Sequence, residues 1–531
     1  MEYKVCIKAA GKGTRLSYAK NTNKALLPVG GKAIISHLIE KFPIDVEIVI
    51  PVGHNASYVK DFLSIAYSNR KITFVDIDKY EGLGSGPGYS LLCCKNHLQC
   101  PFIFFACDTL VLENIPEPDC NWIGVSVVPD SKDYLVAEVD NALVKKLFDK
   151  KEMGALQKEC LDYRKVLSNA FIGLAAVRDY DKFWRGLEDN SFLVRGELQV
   201  ANGLTALIPR GLKTISFSWF DIGTDSGYER TSKYFKNNEI LVKPGEFTYF
   251  ENGKVIKFFA EPKRVLGRLK RAELLKSVIP EITDQRNNFY AYSYKNGKML
   301  SEVLDSNIFK RFLEFCKKTI WVKQNLKAEQ TIVFKEACRK FYYEKTHERI
   351  DLFYKNTGIK DKDEMINGVR VPKLKEIFQK LDWEDLYMGV PVLFHGDPQP
   401  ENIIVSGEKF YLLDWREDFG GTQESGDIYY DLAKIYHALI ISGEIIRNNQ
   451  FKVLVEQDSV SIFFLVKSNL LQFKAIFEDF ISKEGLDLKK VKLHSALIYL
   501  NICALHHNPY NLLLYYLGKL LLKEGIDADE R

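Results

Sequence analysis

The chain has 531 residues, room for two or three domains. Hydrophobic residues make up 46% and charged residues 27%, an ordinary balance for a soluble globular protein. A formal net charge of +4 over that length gives no basis for binding nucleic acid or an anionic membrane surface. No apolar run approaches the roughly 20 residues of a membrane span. Ten cysteines are scattered without a C-x-x-C pair, so free thiols in a reducing, cytoplasmic setting are expected rather than a zinc site or a disulfide framework. The opening MEYKVCIKAAGKG runs directly into a strand and a glycine-rich loop, so no signal peptide is expected.

Residues 5–8 read as a short buried strand leading into Ala10, Gly11, Lys12, Gly13, Thr14 and Arg15. Glycines there let backbone N–H groups close around phosphates, and Arg15 adds positive charge. The G-x-G-x-x-G dinucleotide form is not met, because Leu16 stands where its third glycine would be. Residues 24–29 read KALLPV, and a helix is expected over about 33–41. Further strands are expected at 46–52 (VEIVIPV) and 102–108 (FIFFACD), the latter ending in Asp108. Between them lies a second glycine-rich loop, 82–88 (GLGSGPG). Strands alternate with helical stretches, which argues for an α/β fold with a mostly parallel, doubly wound sheet. Ligands bind such sheets in the loops at the carboxyl edge.

The G-x-G-T-R element followed by K-x-L-x-P resembles the nucleotidyltransferases that join a nucleoside triphosphate to a sugar phosphate or phosphocholine. The resemblance implies catalytic roles for Arg15 and Lys24. It implies nucleotide contacts from Ala10, Gly11, Gly13 and Thr14, and base contacts from Ser85 and Gly86. Asp108 and Asp221, the acid of WFDIGT at 219–224, become Mg²⁺ ligands, and Glu197 a substrate contact.

A helix follows at about 226–236, and the domain boundary is expected near 236–244. A hairpin with an Asn252-Gly253 turn comes next. Its second strand carries Lys257, and a helix over 262–277 carries Glu273. Later, 394–402 reads FHGDPQPEN and 411–415 reads YLLDW. Pro398 and Pro400 forbid a helix, so Asp397, Asn402 and Asp414 lie at the mouths of adjacent strands. A carboxylate that accepts a hydroxyl proton, with an amide and a carboxylate for Mg²⁺, is the set phosphoryl transfer needs.

The H-G-D-x-x-x-x-N…D spacing resembles the aminoglycoside phosphotransferase and choline kinase superfamily. The resemblance implies Asp397 as base, Asn402 and Asp414 as Mg²⁺ ligands, and Lys257 and Glu273 as the pair that positions ATP. It also implies that Asp427 and Asp431 brace the catalytic loop. Trp415-Arg416 replaces Phe-Gly after the metal aspartate, so activation-loop switching is not implied. Trp415, Glu417 and Asp418 are expected to border the acceptor pocket, where they would hold either a cationic head group or sugar hydroxyls.

The expected architecture is an α/β nucleotidyltransferase domain, 1–238, and an α+β two-lobed kinase-like domain, 239–531. Its small lobe would span about 239–300 and its large lobe about 301–531. Expected ligands are Mg²⁺ in both sites, ATP, and CTP or UTP, with small-molecule substrates, no nucleic acid, no membrane insertion and a possible homo-oligomer.

Overall fold

The computed structural model describes residues 2–128, 134–148, 169–189, 193–194, 196–235, 245–303 and 305–527. Packing divides the chain into two compact units. The first is Met1–Glu261 with Thr283–Tyr292, and the second is Pro262–Ile282 with Ser293–Arg531.

The first unit is organised by a nine-stranded sheet. Strands β1 (Lys4–Lys8), β2 (Glu47–Val52), β3 (Ile72–Asp76) and β4 (Phe102–Ala106) lie side by side in the order β3-β2-β1-β4, all parallel. Strand β2 (EIVIPV) is buried at every position, as a parallel strand covered on both faces must be. Side-chain alternation sends Val5 and Ile7 to a core shared with helices α1 (Ile34–Ile39) and α2 (Ala56–Ala66). Cys6 points the other way, to a core shared with α3 (Pro87–Cys93) and α4 (Tyr180–Asp189).

Beyond β4 the sheet becomes mixed. Strands β5 (Trp122–Val127), β6 (Val136–Asp140), β7 (Leu143–Phe148), β8 (Asn169–Val177) and β9 (Lys213–Ser216) continue it in the order β8-β5-β9-β7-β6. Strand β8 runs antiparallel to both β4 and β5, and β9 lies parallel to β5. The expectation of a mostly parallel sheet therefore holds for the first four strands but not for the rest. One cause is local: β6 and β7 form a hairpin closed by Asn141 and Ala142, both at positive φ, and a two-residue hairpin turn fixes its strands antiparallel.

The predicted Asn-Gly hairpin is present as β10 (Glu246–Glu251) and β11 (Lys254–Phe259), with Asn252 and Gly253 both left-handed. With β12 (Ile282–Gln285) and β13 (Phe289–Ser293) it forms a four-stranded sheet, β10-β11-β13-β12. This hairpin, expected to open the second domain's small lobe, groups with the first unit. Phe247, Tyr249, Ile256 and Phe258 join the same apolar core as Phe62. The Tyr249 hydroxyl donates to Leu26 O (2.6 Å), and the Asn252 amide donates to Ala66 O (2.7 Å). Helix α5 (Asp225–Tyr234) precedes this hairpin, and the boundary expected at 236–244 lies outside the described residues.

The second unit is mostly helical: α6 (Pro262–Leu275), α7 (Ser306–Thr319), α8 (Ala328–Arg339), α9 (Lys345–Thr357), α10 (Ile428–Ile440), α11 (Ser468–Lys483), α12 (Leu488–Cys503) and α13 (Tyr510–Asp527). The short strands β14 (Ile403–Ser406) and β15 (Lys409–Leu412) pair as a hairpin. A π-helical turn, Lys340–Glu344, joins α8 to α9. The apolar stripe of α13 packs in the core, with Tyr515 and Tyr516 buried. Among the described residues no helix is long and apolar enough to cross a membrane.

Candidate active sites

In the first unit the loop after β1 is held by its neighbours. Ala9 bridges to Val52, and His54 N donates to Ala10 O (3.0 Å). Gly13 adopts φ +67°, which favours glycine, and its open side faces the Lys24 stem. Thr14 and Arg15 are exposed at the loop's end. Asn23, fully buried, pins the assembly. Its amide nitrogen donates to Ala9 O (2.9 Å) and His54 O (2.7 Å), and its oxygen accepts from Ala25 N (2.9 Å).

Asp108 leaves the end of β4, and its carboxylate meets Lys24 Nζ at 2.7 Å. Burial disfavours the charge on each partner, but each partner's charge outweighs it. The Asp108 carboxyl is held below the usual carboxylate range and Lys24 above the usual lysine range. Asp221 ends a short strand paired antiparallel with Thr109–Val111. Its oxygens accept from Gly223 N (2.8 Å) and the Tyr134 hydroxyl (3.0 Å). The two acids and Arg15 converge on Gly223. A Cβ there would lie 3.0 Å from Asp221 Oδ1, 3.5 Å from Asp108 Oδ2 and 3.6 Å from Arg15 Nη2. The missing side chain leaves a small space lined by two carboxylates and a guanidinium. Two carboxylates fit Mg²⁺, which takes its remaining ligands from water and substrate phosphates.

The second glycine-rich loop pairs with the segment around Glu197. Gly84 N donates to Gly196 O and Leu198 N to Ser85 O, both at 2.8 Å. A Cβ on Gly86 would sit 2.8 Å from the Glu197 Cβ. The buried Ser85 hydroxyl is spent on Gly82 O (2.7 Å), so Ser85 can offer a ligand its backbone more readily than its side chain. Lys8, at the end of β1, was not singled out by sequence. Its ammonium lies 5.0 Å from the Phe104 ring centre, and burial pushes its pKa down to about 8.

In the second unit, Asp397, Asn402 and Asp414 occupy one loop-and-hairpin system. The Asn402 amide donates to Asp397 O (3.0 Å), which leaves its oxygen as the atom a cation would take. Leu413 N donates to Asn402 O (2.8 Å) beside Asp414, which adopts the left-handed φ of +57°. Such conformations persist only where surrounding structure enforces them. The buried Asp431 accepts from His395 N (2.8 Å) and Gly396 N (2.6 Å), which braces the loop. Asp427 accepts from Val390 N and the Tyr342 hydroxyl. Burial pushes His395 down to about 4 and keeps it neutral. Its Nδ1 accepts from Asp397 N (3.2 Å).

Lys434, on α10, pairs with Asp397 at 2.8 Å. Sequence reasoning passed over it, although it lies three residues after Asp431 and so shares that helix face. Two expectations for the acceptor pocket are corrected. Trp415 has no exposed surface, and its indole N–H donates to Arg268 O (2.8 Å), so it is a core residue. Glu417 is tied to Arg264 (3.1 Å) and Arg268 (3.4 Å). Burial works against its charge, but the two guanidiniums hold its pKa down at about 2. Neither residue is available to a cationic head group. Lys257 is buried on β11 in the first unit, and Glu273 is exposed on α6 in the second.

Residues 5–114 match the model of the MobA-like NTP transferase domain. The chain is 28% identical over 241 residues to the bifunctional protein GlmU of Methanococcus vannielii, covering 44% of this chain and 55% of that protein. It is 30% identical over 230 residues to GlmU of Methanococcus aeolicus, covering 41% and 50%. The chain thus spans about half the length of these curated relatives. Among solved structures, CTP:phosphocholine cytidylyltransferase from Streptococcus pneumoniae aligns at 19% identity and TM-score 0.36, covering 44% of this chain and all of that one. The N-terminal half resembles nucleotidyltransferases, and none of these matches covers the C-terminal half.

Proposed function

We propose that the chain is bifunctional. The second unit phosphorylates a small hydroxyl compound with ATP. The first couples the resulting phosphate ester to a nucleoside monophosphate from CTP or UTP and releases pyrophosphate. The product would be an activated precursor for surface glycoconjugates, made in the cytoplasm. The observation that carries the first activity is the convergence of Asp108, Asp221 and Arg15 on Gly223, with Lys24 held on Asp108.

In the first unit, Asp108 and Asp221 would hold Mg²⁺, which when bound offsets triphosphate charge. Arg15 and Lys24 stabilise negative charge as the acceptor's phosphate oxygen attacks the α-phosphorus and the bond to pyrophosphate breaks. The backbone of residues 10–14 cradles the phosphates. Gly86 borders the base, and Glu197 the acceptor. In the second unit, Asp397 orients the hydroxyl and accepts its proton as its oxygen bonds the γ-phosphorus and ADP leaves. Asn402 and Asp414 would hold the cation, and Glu273, on α6 of the same unit, is assigned to ATP.

A sugar or polyol is favoured over choline or ethanolamine, because Trp415 and Glu417, which would hold an ammonium group, are committed to the core and to arginines. The test is ³¹P NMR of the full chain with ATP, Mg²⁺ and CTP or UTP over sugars, polyols, choline and ethanolamine. A new diphosphate diester with a sugar or polyol supports the reading. The same signal with choline alone overturns the preference. Absence of pyrophosphate release from any supplied phosphate ester overturns the first activity, and would make that half a binding module.

A further inference from the structure

The surroundings of Asp397 carry an excess of positive charge that the general kinase reading does not use. The π-helical turn Lys340–Glu344 delivers Phe341 and then Lys345, the first residue of α9. Single π turns insert a residue into a helix and re-aim the side chains around it, often at functional sites. Lys345 Nζ sits 3.8 Å from the centre of the Phe341 ring, and Arg416 Cζ sits 5.1 Å from the centre of the same ring. Arg416 is anchored beside the loop of Asp397: its backbone N–H donates to His395 O (3.0 Å), and its stem fills the space a Gly396 side chain would need. Arg349 lies one helical turn beyond Lys345. Lys434 completes the group and pairs with Asp397.

Lys345, Arg349, Arg416 and Lys434 thus lie near one another, with Lys434 paired to Asp397 and Asp418 acting on Lys345. Lys345, Arg349 and Arg416 have no carboxylate within ion-pair distance among the described residues. Lys345 is pushed well below the ordinary lysine range, first by burial and then by Arg416, Arg349 and Lys434, with Asp418 opposing. Like charges held together in partly buried surroundings are costly unless an anion joins them. All three side chains keep some exposed surface, so a small ligand can reach them. A positive pocket also repels a cation and concentrates an anion.

We infer that the acceptor phosphorylated at Asp397 is itself an anion: a small hydroxyl compound carrying a carboxylate or a phosphate, whose negative group is received by Lys345, Arg349 and Arg416. The inference rests on the kinase reading proposed above and narrows its substrate class. The hydroxyl oxygen bonds the γ-phosphorus of ATP, the bridging bond to ADP breaks, and the proton passes to Asp397. Lys434 holds that carboxylate in place.

The test is ADP release by the full chain with Mg²⁺ and ATP, offered glycerate, glycerol 3-phosphate, glycerol and choline. The first two share the glycerol skeleton and distinguish carboxylate from phosphate. One of the anions should exceed glycerol in kcat/KM by about 30-fold or more, as charged contacts of this kind commonly supply. Lys345→Met should raise KM for that anion by a similar factor and leave KM for ATP unchanged, and Lys345→Arg should retain binding. Glycerol or choline turned over as well as the anions would overturn the inference while leaving the kinase intact. So would a Lys345→Met effect confined to KM for ATP. If no acceptor yields ADP, the kinase reading fails instead. The anion site is then decided by calorimetry with inorganic phosphate at saturating ADP and Mg²⁺: binding lost in Lys345→Met upholds it, and unchanged binding overturns it.

Discussion

Gly227→Ala sets two effects of opposite sign against each other. Gly227 lies in the first turn of the helix Asp225–Tyr234, where its N–H donates to the capping Thr224 hydroxyl (3.2 Å). Helix propensity alone favours alanine by about 1 kcal/mol. The added Cβ, however, would sit 2.1 Å from the backbone oxygen of Asp221 and 3.1 Å from Thr224 Oγ1. An ordinary C···O approach is about 3.3 Å or more, so the Asp221 carbonyl must retreat by roughly 1 Å. Overpacking of that kind costs about 1–3 kcal/mol, enough to outweigh the propensity gain. The displacement falls on a residue whose carboxylate lies opposite Asp108 and Arg15. A shift of about 1 Å in a reacting group commonly costs about 100-fold in rate. Pyrophosphate release should therefore fall by about two orders of magnitude, with a lowered urea midpoint for the first unit. ADP formation, measured on the same preparation, should be unchanged. A variant that is more stable and fully active in pyrophosphate release would refute the placement of Asp221 in the site.

Asp108→Asn should cut pyrophosphate release by about 100- to 1,000-fold and spare ADP formation, and Asp397→Asn should do the reverse. Equal loss of both activities in either variant would rule out independent sites. Arg271 is fully buried, with Nη1 donating to Gln423 O (2.7 Å) and Nη2 to Phe394 O, three residues before Asp397. Arg271→Met removes the donor from the buried Phe394 carbonyl, at about 1–3 kcal/mol, and from the part-buried Gln423 carbonyl. The urea midpoint of the second unit should drop and ADP formation should fall with it, whereas an unchanged midpoint would contradict this anchoring role. Glu251, buried in the first unit, has its pKa raised from 4.5 to about 7, chiefly by burial. The folded state therefore binds its proton more tightly than the unfolded chain. The associated stability is fully present below pH 4.5 and is lost as pH rises through about 7. The loss amounts to about 3 kcal/mol, so Glu251→Gln should flatten the fall in unfolding midpoint between pH 5 and 8. Parallel wild-type and variant profiles would show that Glu251 is not the titrating group.

What could be read from the sequence is what short contiguous stretches encode. Strands β1, β2 and β4 announce themselves as apolar runs, and the Asn252-Gly253 hairpin by its turn residues, because backbone preference and burial act over a few neighbours. The glycine loop after β1 and the span from His395 to Asn402 are legible for the same reason: glycines and prolines restrict the chain locally, and the reactive groups sit at set spacings. Tertiary structure alone decided what depends on distant packing. Asp108 and Asp221 meet because a short strand ending at Asp221 pairs with the one after Asp108. The hairpin β10–β11 joined the first unit because its aromatic face completes that unit's core. Trp415 and Glu417 look like pocket residues in the sequence, yet helix Pro262–Leu275 claims one by a hydrogen bond and the other by two arginines. Lys345, Arg349, Arg416 and Lys434 come from two helices and a loop. No local spacing rule links them, since charges gather wherever packed elements happen to bring them, and that is a property of the folded chain.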